Sequence, residues 1–468
     1  TYHQYVSELT YLLFLRMMQE TGQEDGLVIY KSPKKGEPAE KMEGTRWADL
    51  MAASPPDRLD MYKELLLDYG LHGRGSVQQI YANASTFITK PATLSKLVVE
   101  IDKLDWYSVH REDLGDLYED LLERNAGEKK SGAGQYFTPR HLIDSIVAVM
   151  KPQLTDVIQD PAAGTCGFLI AANNYLRRHN DFDSLDDASQ RRYRKLTFYG
   201  MELVQDTHRL ALMNMLLHGI EGGITYGDTL SDDYKQLPPA TLVLSNPPFG
   251  TKRGGGLPTR DDLTYVTSNK QFAFLQHIYR ALKPGGRAAV VLPDSVLFES
   301  NIGTDIRRDL MDKCNLHTIL RLPTGIFYAN GVKANVLLFD NHAASKEPWT
   351  KEVWFYDYRT NIHHTLKKKP LRFEDLQDFI DCYHPEDRHV RQATERFKYY
   401  RYDELIARDK ASLDIFWLKD ESLDNLDDLP PPDVLQQEII EHLEAALSAF
   451  RDVAAALPTS AVEVVKSA

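Results

Sequence analysis

The sequence predicts an α/β fold built on a doubly wound, mostly parallel sheet, with a helical region before it and a helical tail after it. Between about residues 126 and 400, short apolar runs of strand length alternate with amphipathic runs of helix length. Several of these apolar runs end in a polar residue, which is typical of strands whose carboxyl ends line a ligand site. The first 125 residues have helical patterns instead.

The predicted strands follow one another in a regular order. The first ends at Asp160 and leads through a loop of small residues into a helix that reaches about Arg178. The second delivers Glu202 at its carboxyl end, and the third delivers Asp228. The later strands are predicted at residues 241–245, 288–292, 317–322 and 335–339.

The run Asn246-Pro247-Pro248-Phe249 directly follows the fourth predicted strand. Two consecutive prolines cannot donate hydrogen bonds to a sheet, so the strand must end there. The Asn246 amide and the Pro247 carbonyl are then two fixed acceptors beside the aromatic face of Phe249. This set suits a planar, amine-bearing group whose nitrogen lone pair must be localised. Taken alone, the run is more often a simple turn that closes a strand.

The loop after the first strand has the composition of a nucleoside site. It follows Asp160 and contains Ala162, Gly164, Thr165, Cys166 and Gly167. Glycines allow close approach to the backbone, and the helix that follows offers free N–H donors. The first glycine of a dinucleotide fingerprint is missing, and no Lys-Ser or Lys-Thr pair follows, so a pyrophosphate or triphosphate ligand is not expected.

Two further acids complete this pattern. Glu202 lies where a carboxylate can bind both hydroxyls of a ribose, although it comes later than the roughly 20 residues expected in a dinucleotide fold. Asp228 is a natural acceptor for an adenine amino group, and Asp160 could neutralise a cationic amino-acid head. Each acid alone is more often a helix cap, but four polar strand ends in order favour a ligand site.

These residues, together with the earlier segment Gly134 to Arg140, resemble the amino-group DNA methyltransferases that use S-adenosylmethionine. The order of the motifs matches the adenine methylases of type I restriction–modification systems, whose sheet has seven strands. The resemblance implies that Thr165 to Gly167 form the glycine loop and that Glu202 holds the ribose. It also implies that six residues lie over the methionine end of the cofactor, namely Gln135, Tyr136, Phe137, Thr138, Pro139 and Arg140. Cys166 departs from the usual small residue and is expected to be a buried packing residue.

The resemblance further implies the reaction and the partners. The expected activity is methyl transfer to the exocyclic amine of an adenine flipped out of double-stranded DNA. The expected partners are a specificity subunit, a second copy of this chain and a restriction subunit. Three alternatives stay open: amino methylation of cytosine, methylation of a protein glutamine amide, and a scaffold subunit without catalysis.

Composition and charge favour a cytoplasmic enzyme that needs a basic partner to bind DNA. The 468 residues carry a formal charge of −13, which opposes tight binding to phosphates. The three cysteines have neither disulfide nor metal-ligand spacing, and no membrane span is expected. Lys252, Arg253 and Arg260 are predicted to lie on a mobile loop that could close on DNA, or on a loop without function. Two basic groups, residues 363–364 and 367–369, are predicted to lie in a solvated loop that binds no metal.

Three regions are predicted: a helical domain over residues 1–125, the methyltransferase domain over 126–400, and a partner-docking segment over 401–468. The last segment contains Pro430-Pro431-Pro432 and then a helix from about 433 to 457. Its apolar residues have coiled-coil spacing. They are Ile439, Leu443, Ala446, Phe450, Val453 and Leu457. The helix can pack on its own domain or on the specificity subunit.

Overall fold

The computed structural model describes residues 2–20, 22–32, 38–104, 118, 138–221, 223–250, 257–327, 332–366 and 369–419, together with 436, 439, 440, 443 and 447. The helices in these ranges are α1 (Tyr2–Glu20), α2 (Trp47–Ala52), α3 (Pro55–His72), α4 (Gly75–Tyr81), α5 (Pro91–Asp102), α6 (Arg140–Met150), α7 (Gly167–His179), α8 (Asp187–Leu196), α9 (Gln205–Leu217), α10 (Lys270–Ala281), α11 (Ser295–Phe298), α12 (Ile302–Lys313), α13 (Gln377–Tyr383) and α14 (Tyr402–Ala407). The strands are β1 (Val28–Lys31), β2 (Glu40–Glu43), β3 (Ile158–Asp160), β4 (Phe198–Glu202), β5 (Ile224–Tyr226), β6 (Ala240–Ser245), β7 (Leu282–Pro293), β8 (Cys314–Arg321), β9 (Ala334–Asn341), β10 (Glu352–Asp357) and β11 (Phe397–Arg401).

Nine strands form the central sheet, in the order β11-β10-β8-β9-β7-β6-β3-β4-β5. Strand β9 runs antiparallel to its neighbours β7 and β8, and β11 runs antiparallel to β10, whereas the other pairs are parallel. Strands β3 to β9 form the predicted mostly parallel seven-stranded unit, so the fold class is confirmed. Strands β10 and β11 extend that unit at one edge.

Helices cover both faces of the sheet, as a doubly wound fold requires. Successive residues of β6 point to opposite faces: Leu242 and Leu244 join one core, and Val243 joins the other. The first core also contains residues of α6, α7 and α9, and the second contains residues of α10 and α12. The glycine loop and the Asn-Pro-Pro-Phe run follow β3 and β6, which are neighbours in the sheet, and therefore lie at the same edge.

The N-terminal region contains α1 to α5 and also a small antiparallel sheet of β1 and β2, which the sequence analysis did not predict. A buried Glu8 side chain connects its parts, because one carboxylate oxygen accepts from Tyr62 Oη at 2.8 Å and the other from the Phe87 N–H at 2.6 Å. This region packs on α9 through a buried arginine. Arg209 donates to the backbone oxygens of Ile80 and Ala82, both at 2.6 Å.

The predicted C-terminal segment begins inside the sheet domain. Strand β11 ends at Arg401, and Leu405, Leu413 and Ile415 are then buried in the core on the α10 and α12 face. Beyond Lys419 the structure describes five separate positions, all of them helical. Their four apolar side chains are exposed: Ile439, Ile440, Leu443 and Leu447.

Candidate functional site

Asp160, the last residue of β3, lies at the centre of the candidate site. Its side chain is only 2% exposed, and Oδ1 accepts from the Ala162 N–H at 3.1 Å and from Ser245 Oγ at 2.7 Å. Burial raises the pKa of this carboxyl to about 7, against the opposing effect of the two hydrogen bonds. The bond from Ser245, the last residue of β6, joins the two neighbouring strands at this edge.

The glycine loop after β3 contains residues with positive φ, a backbone conformation that favours glycine. Gly164 has φ +53° and Cys166 has φ +70°, so the non-glycine residue at 166 is in the left-handed region. Helix α7 begins at the next residue, Gly167, where an added Cβ would lie 3.1 Å from Ile143 Cδ1. The glycine at 167 therefore also serves the packing of α7 against α6. Cys166 is fully buried, and its prediction as a packing residue is confirmed.

Glu202 connects the end of β4 to this loop. One carboxylate oxygen accepts from the Gly164 N–H at 3.0 Å and the other from the Val204 N–H at 2.8 Å. Burial raises the pKa of Glu202, although the backbone donors oppose the shift. Each carboxylate oxygen has two lone pairs, so Glu202 can accept further hydrogen bonds from a ligand while it fixes the loop.

Asp228 follows β5 and mainly organises its own turn. Its Oδ1 accepts from the Leu230 N–H at 2.9 Å, and the neighbouring Thr229 Oγ1 donates to the Pro161 backbone oxygen at 2.6 Å. The turn after β5 is thereby tied to the loop after β3. Asp228 lies at the same edge as Asp160 and Glu202, where the sequence analysis placed it.

The Asn246-Pro247-Pro248-Phe249 run leaves the sheet directly beside this loop. Asn246 Nδ2 donates to Thr138 Oγ1 at 2.9 Å, and Thr138 is 8% exposed. Pro247 is buried, whereas Pro248 and Phe249 are partly buried. This contact brings together two segments that are far apart in sequence.

The segment predicted to lie over the methionine end of the cofactor is described only in part. Thr138 contacts Asn246, Pro139 precedes α6, and Arg140 is the first residue of that helix. Gln135, Tyr136 and Phe137 lie outside the described residues. Their proposed contacts remain predictions.

The expectation that Arg260 lies on a mobile, DNA-facing loop is wrong. Its side chain is 1% exposed and forms a two-pronged ion pair with Asp262, at 2.8 and 2.7 Å. It also donates to the Thr229 backbone oxygen at 2.9 Å and stacks 3.6 Å above the ring of Tyr234. Lys252 and Arg253 lie outside the described residues.

The expectation of a solvated loop around residues 363–369 is also wrong for His364. That imidazole is buried and lies 2.8 Å from Tyr358 Oη and 3.0 Å from the Lys369 backbone oxygen, so it is part of the local packing. Lys367 and Lys368 are outside the described residues. In the part of the chain that the structure describes, no cluster of His, Cys, Asp and Glu side chains could bind a metal ion.

Three supporting residues were missed by the sequence analysis. Ser245 binds Asp160, Thr229 ties two loops together, and Asn214 donates from Nδ2 to the Thr165 backbone oxygen at 2.8 Å. Ser245 has a recognisable signal, because it is a polar residue at the end of an apolar strand, next to the Asn-Pro-Pro-Phe run. Asn214 has none, since it lies inside helix α9 and depends on tertiary contact.

A sheet of this order, with acids as the last residues of β3 and β4 and an Asn-Pro-Pro-Phe run after β6, defines an S-adenosylmethionine-dependent amino-methyltransferase. Residues 109–414 match the family described as N-6 DNA Methylase. The chain belongs to this family. No helix among the described residues is long and apolar enough to cross a membrane.

The similar proteins include type I restriction enzyme methylase subunits. The StySPI subunit of Salmonella potsdam is 45% identical over 491 residues, which cover 96% of this chain and 90% of that protein. The EcoKI subunit of Escherichia coli strain K12 is 45% identical over 494 residues, with the same coverage. The crystal structure of the EcoKI M protein has 40% identity and a TM-score of 0.58, covering 98% of this chain and 93% of that one.

A structure described as the basis of complex assembly and conformational transition of the type I R-M system has a TM-score of 0.72. Its identity is 23%, over 97% of this chain and 93% of that chain, so it supports the fold alone. Together with the family match, the relatives confirm four predictions from the sequence. These are the methyltransferase fold, an adenine-specific DNA methyltransferase, a type I modification subunit, and S-adenosylmethionine as the methyl donor.

Proposed function

We propose that this chain methylates the exocyclic amine of a flipped adenine in double-stranded DNA, as the modification subunit of a type I restriction–modification complex. One observation carries the assignment of the site. The hydrogen bond from Ser245 to Asp160 joins the strand before the Asn-Pro-Pro-Phe run to the strand before the glycine loop. The acceptors for a target amine and the groups for a cofactor are therefore immediate neighbours.

The loop residues fit S-adenosylmethionine. Gly164 has an open, left-handed backbone, and a Cβ built there would meet nothing within 4 Å. Asp160 and Glu202 are carboxylates whose pKa is raised chiefly by burial. A ligand that brings positive charge and hydroxyl donors would stabilise both in the ionised form. We assign Glu202 to the ribose hydroxyls, Asp160 to the cationic amino-acid end, and Asp228 to the adenine amine.

On the substrate side, the chain provides acceptors and a stacking face. Because Thr138 accepts from Asn246 Nδ2, the orientation of the amide is held, and we assign Oδ1 as the acceptor for an amine hydrogen. The Pro247 carbonyl is the second acceptor, and two such bonds localise the nitrogen lone pair. Phe249 stacks on the extruded base, which is a contact worth about 1–3 kcal/mol. When bound, S-adenosylmethionine supplies an electrophilic methyl group attached to a sulfonium. Positioning and electrostatics then provide the catalysis.

The partners follow from charge and from the C-terminal helix. The chain has 68 acidic and 55 basic residues, so it is poorly suited to hold DNA alone. We propose that a specificity subunit supplies the DNA affinity, that a second copy of this chain completes the modification complex, and that a restriction subunit joins it. We also propose that the chain works in the cytoplasm, where such a complex meets chromosomal DNA.

The experiment is a methylation assay with the purified chain, alone and with the specificity subunit encoded beside it. Digestion of the product DNA to nucleosides and mass spectrometry should show N6-methyladenine, and only when both subunits are present. Asn246→Ala in the same complex is the control for background. N4-methylcytosine as the product, or methylation of a protein substrate instead of DNA, would contradict the proposal. Sequence-specific methylation by the isolated chain would contradict the partnership.

Partner docking is tested by placing a charge on the exposed helix. Leu443 is 64% exposed, so Leu443→Asp should leave the fold and S-adenosylmethionine affinity unchanged. It should nevertheless weaken assembly with the specificity subunit in size-exclusion chromatography. Leu67→Asp is the matched control, because Leu67 is 58% exposed on α3 in the N-terminal region. If the Leu443→Asp and Leu67→Asp variants assembled equally well with the specificity subunit, the helix would be excluded as the docking element.

A further inference from the structure

The start of helix α10 holds Gly250, the residue directly after the Asn-Pro-Pro-Phe run, by both of its backbone polar groups. The Gly250 N–H donates to Gln271 Oε1 at 2.9 Å, and the Gly250 carbonyl oxygen accepts from the Lys270 N–H at 3.0 Å. The chain therefore leaves the target side of the site at Gly250 and comes back to the same point where α10 begins.

Phe249 has neighbours of opposite backbone freedom on its two sides. Pro247 and Pro248 precede it, and each proline ring restricts φ to about −65°. Gly250 follows it with φ +86°, a conformation that glycine adopts without a steric penalty. Because glycine has the largest backbone freedom of all residues, the local sequence does not fix Phe249 from this side. The contacts with α10 supply that restraint.

Of these two contacts, the one with Gln271 depends on a side chain. Gln271 is buried, with 4% exposure, and a backbone N–H can only donate, so the amide must present Oε1 to Gly250. Its Nε2 lies 3.5 Å from Ser295 Oγ. The bond from Lys270, in contrast, uses a backbone N–H that any residue except proline would provide at that position. Substitution of Gln271 therefore removes one part of the restraint and leaves the other.

The start of α10 is in turn fixed against α11, the short helix that follows β7. Asn269, the residue before α10, donates from Nδ2 to both carboxylate oxygens of Glu299, at 3.2 Å each. Strand β7 is the parallel neighbour of β6, from which the Asn-Pro-Pro-Phe run leaves the sheet. Gly250 is therefore held relative to the strand next to β6, in addition to the chain that precedes it.

We infer that Gln271 is a positioning residue for the flipped base and that it acts through Phe249. Its side chain keeps Gly250 in place, and thereby keeps the adjoining ring of Phe249 where that ring stacks on the adenine. The inference rests on the proposed function, because it requires Phe249 to stack on the base. It adds a residue of α10 to the target side of the site without any contact between Gln271 and DNA.

The first test is hydrogen exchange of the full chain, which needs no DNA. Gln271→Met keeps the length of the side chain and removes the acceptor, so peptides containing residues 246–250 should exchange about fivefold faster, the scale of one hydrogen bond. Gln276→Met is the matched control. Gln276 is fully buried on the same helix and makes two hydrogen bonds to the backbone of Tyr265, at 2.9 and 2.8 Å. Exchange at 246–250 that is unchanged in Gln271→Met, or equally faster in both variants, would overturn the inference.

The second test is a double-mutant cycle, measured as single-turnover methylation by the complex with the specificity subunit. Gln271→Met should lower the rate about fivefold with unchanged S-adenosylmethionine affinity, and Gln271→Glu, which keeps an acceptor, should recover most of it. In a Phe249→Ala background Gln271→Met should have no further effect, because the ring that it positions is absent.

An equal loss of rate in both backgrounds would overturn the inference, because Gln271 would then support the fold alone. A wild-type complex that forms no N6-methyladenine would refute the proposed function. An active wild type with an equally active Gln271→Met variant would refute the role of Gln271 and leave the proposed function intact.

Discussion

The two halves of the sheet hold their functional groups in different ways. In the half formed by β3 to β5, the carboxylates of Asp160 and Glu202 accept mainly from backbone N–H groups of adjacent loops, and Asp160 accepts one further bond from the Ser245 side chain. In the half that begins with β6, Asn246 is oriented by one side chain, Thr138, from a segment that precedes the sheet. Backbone donors are present in any sequence, whereas a side-chain partner can be lost by one substitution. The cofactor half is therefore preorganised mainly by backbone donors, whereas the orientation of Asn246 in the target half depends on the Thr138 side chain.

The largest effect is expected in the target half, from Asn246→Ala. This change removes an acceptor used by the substrate amine and should lower turnover by roughly 100- to 1,000-fold, the scale of one preorganised hydrogen-bonding group. S-adenosylmethionine affinity should stay nearly the same, because the carboxylates assigned to the cofactor are held by other groups than this side chain. Single-turnover methylation and calorimetry measure the two quantities. Near wild-type turnover would refute the role assigned to Asn246.

In the cofactor half, Glu202→Ala should weaken S-adenosylmethionine binding by about 1.5–3 kcal/mol, which is the range for a hydrogen bond to a charged group. The change also frees the Gly164 N–H, so part of the loss comes from the loop. Glu221→Ala is the control, because Glu221 is 43% exposed in a surface ion pair with Arg194. Calorimetry should show weaker S-adenosylmethionine binding for Glu202→Ala and unchanged binding for Glu221→Ala. Unchanged affinity in a folded variant would remove the ribose assignment.

Asp160 gives the cofactor half a pH dependence that the target half lacks. Burial raises its pKa to about 7 in the ligand-free protein, and a cationic ligand favours the carboxylate. Below pH 7 binding must therefore expel a proton, so S-adenosylmethionine affinity should fall by up to tenfold per pH unit. Above pH 8 it should be flat. Calorimetry between pH 5.5 and 8.5 tests this prediction.

Asp160→Asn should bind S-adenosylmethionine weakly, and its affinity should not change between pH 5.5 and 8.5. The native carboxyl keeps its proton to a higher pH than the unfolded one, whose pKa is about 3.8, so the ligand-free fold loses stability between about pH 3.8 and pH 7 and carries the full loss above pH 7. The amide oxygen of asparagine can still accept both bonds that end on Oδ1, from Ala162 and Ser245. The variant should therefore melt at a higher temperature than the wild type at pH 8. A lower melting temperature would refute the titration argument.

The smallest effect is expected from Phe249→Tyr, which keeps the stacking face and should leave turnover within about twofold of wild type. Phe249→Ala should cost about 1–3 kcal/mol in binding of DNA that carries an unpaired target adenine. Fluorescence of 2-aminopurine at the target position reports the flipped state. Equal signals for the alanine and tyrosine variants would show that the ring does not stack on the base.

The local parts of the fold and site could be predicted, because their signals lie within short stretches. Apolar runs predicted the seven main strands, and the two prolines predicted the end of β6. The β1 and β2 pair could not be found in this way, since all four residues of β2 are exposed and no apolar pattern marks them. Backbone hydrogen bonds hold that pair together, and these leave no signal in the side chains.

The burial of Arg260 could not be predicted because its partners come from several separate segments. The segment that contains three glycines and then Arg260 has the composition of a mobile loop. In the structure, however, Tyr234, Asp262 and His277 enclose the Arg260 guanidinium. The contact between Thr138 and Asn246 was predicted in part. The resemblance placed that early segment over the cofactor, and the structure adds that it also touches the acceptor for the target amine.

The buried Arg209 has a consequence for the divergence of this chain. Its guanidinium joins the N-terminal region to α9 through the backbone oxygens of Ile80 and Ala82, which any amino acid at those positions would provide. These two hydrogen bonds therefore do not depend on the side chains at positions 80 and 82, provided that the arginine is kept. Chimeras that exchange this region between relatives should require an arginine at the position equivalent to 209, in addition to the contacts that α1 and α4 make with α9.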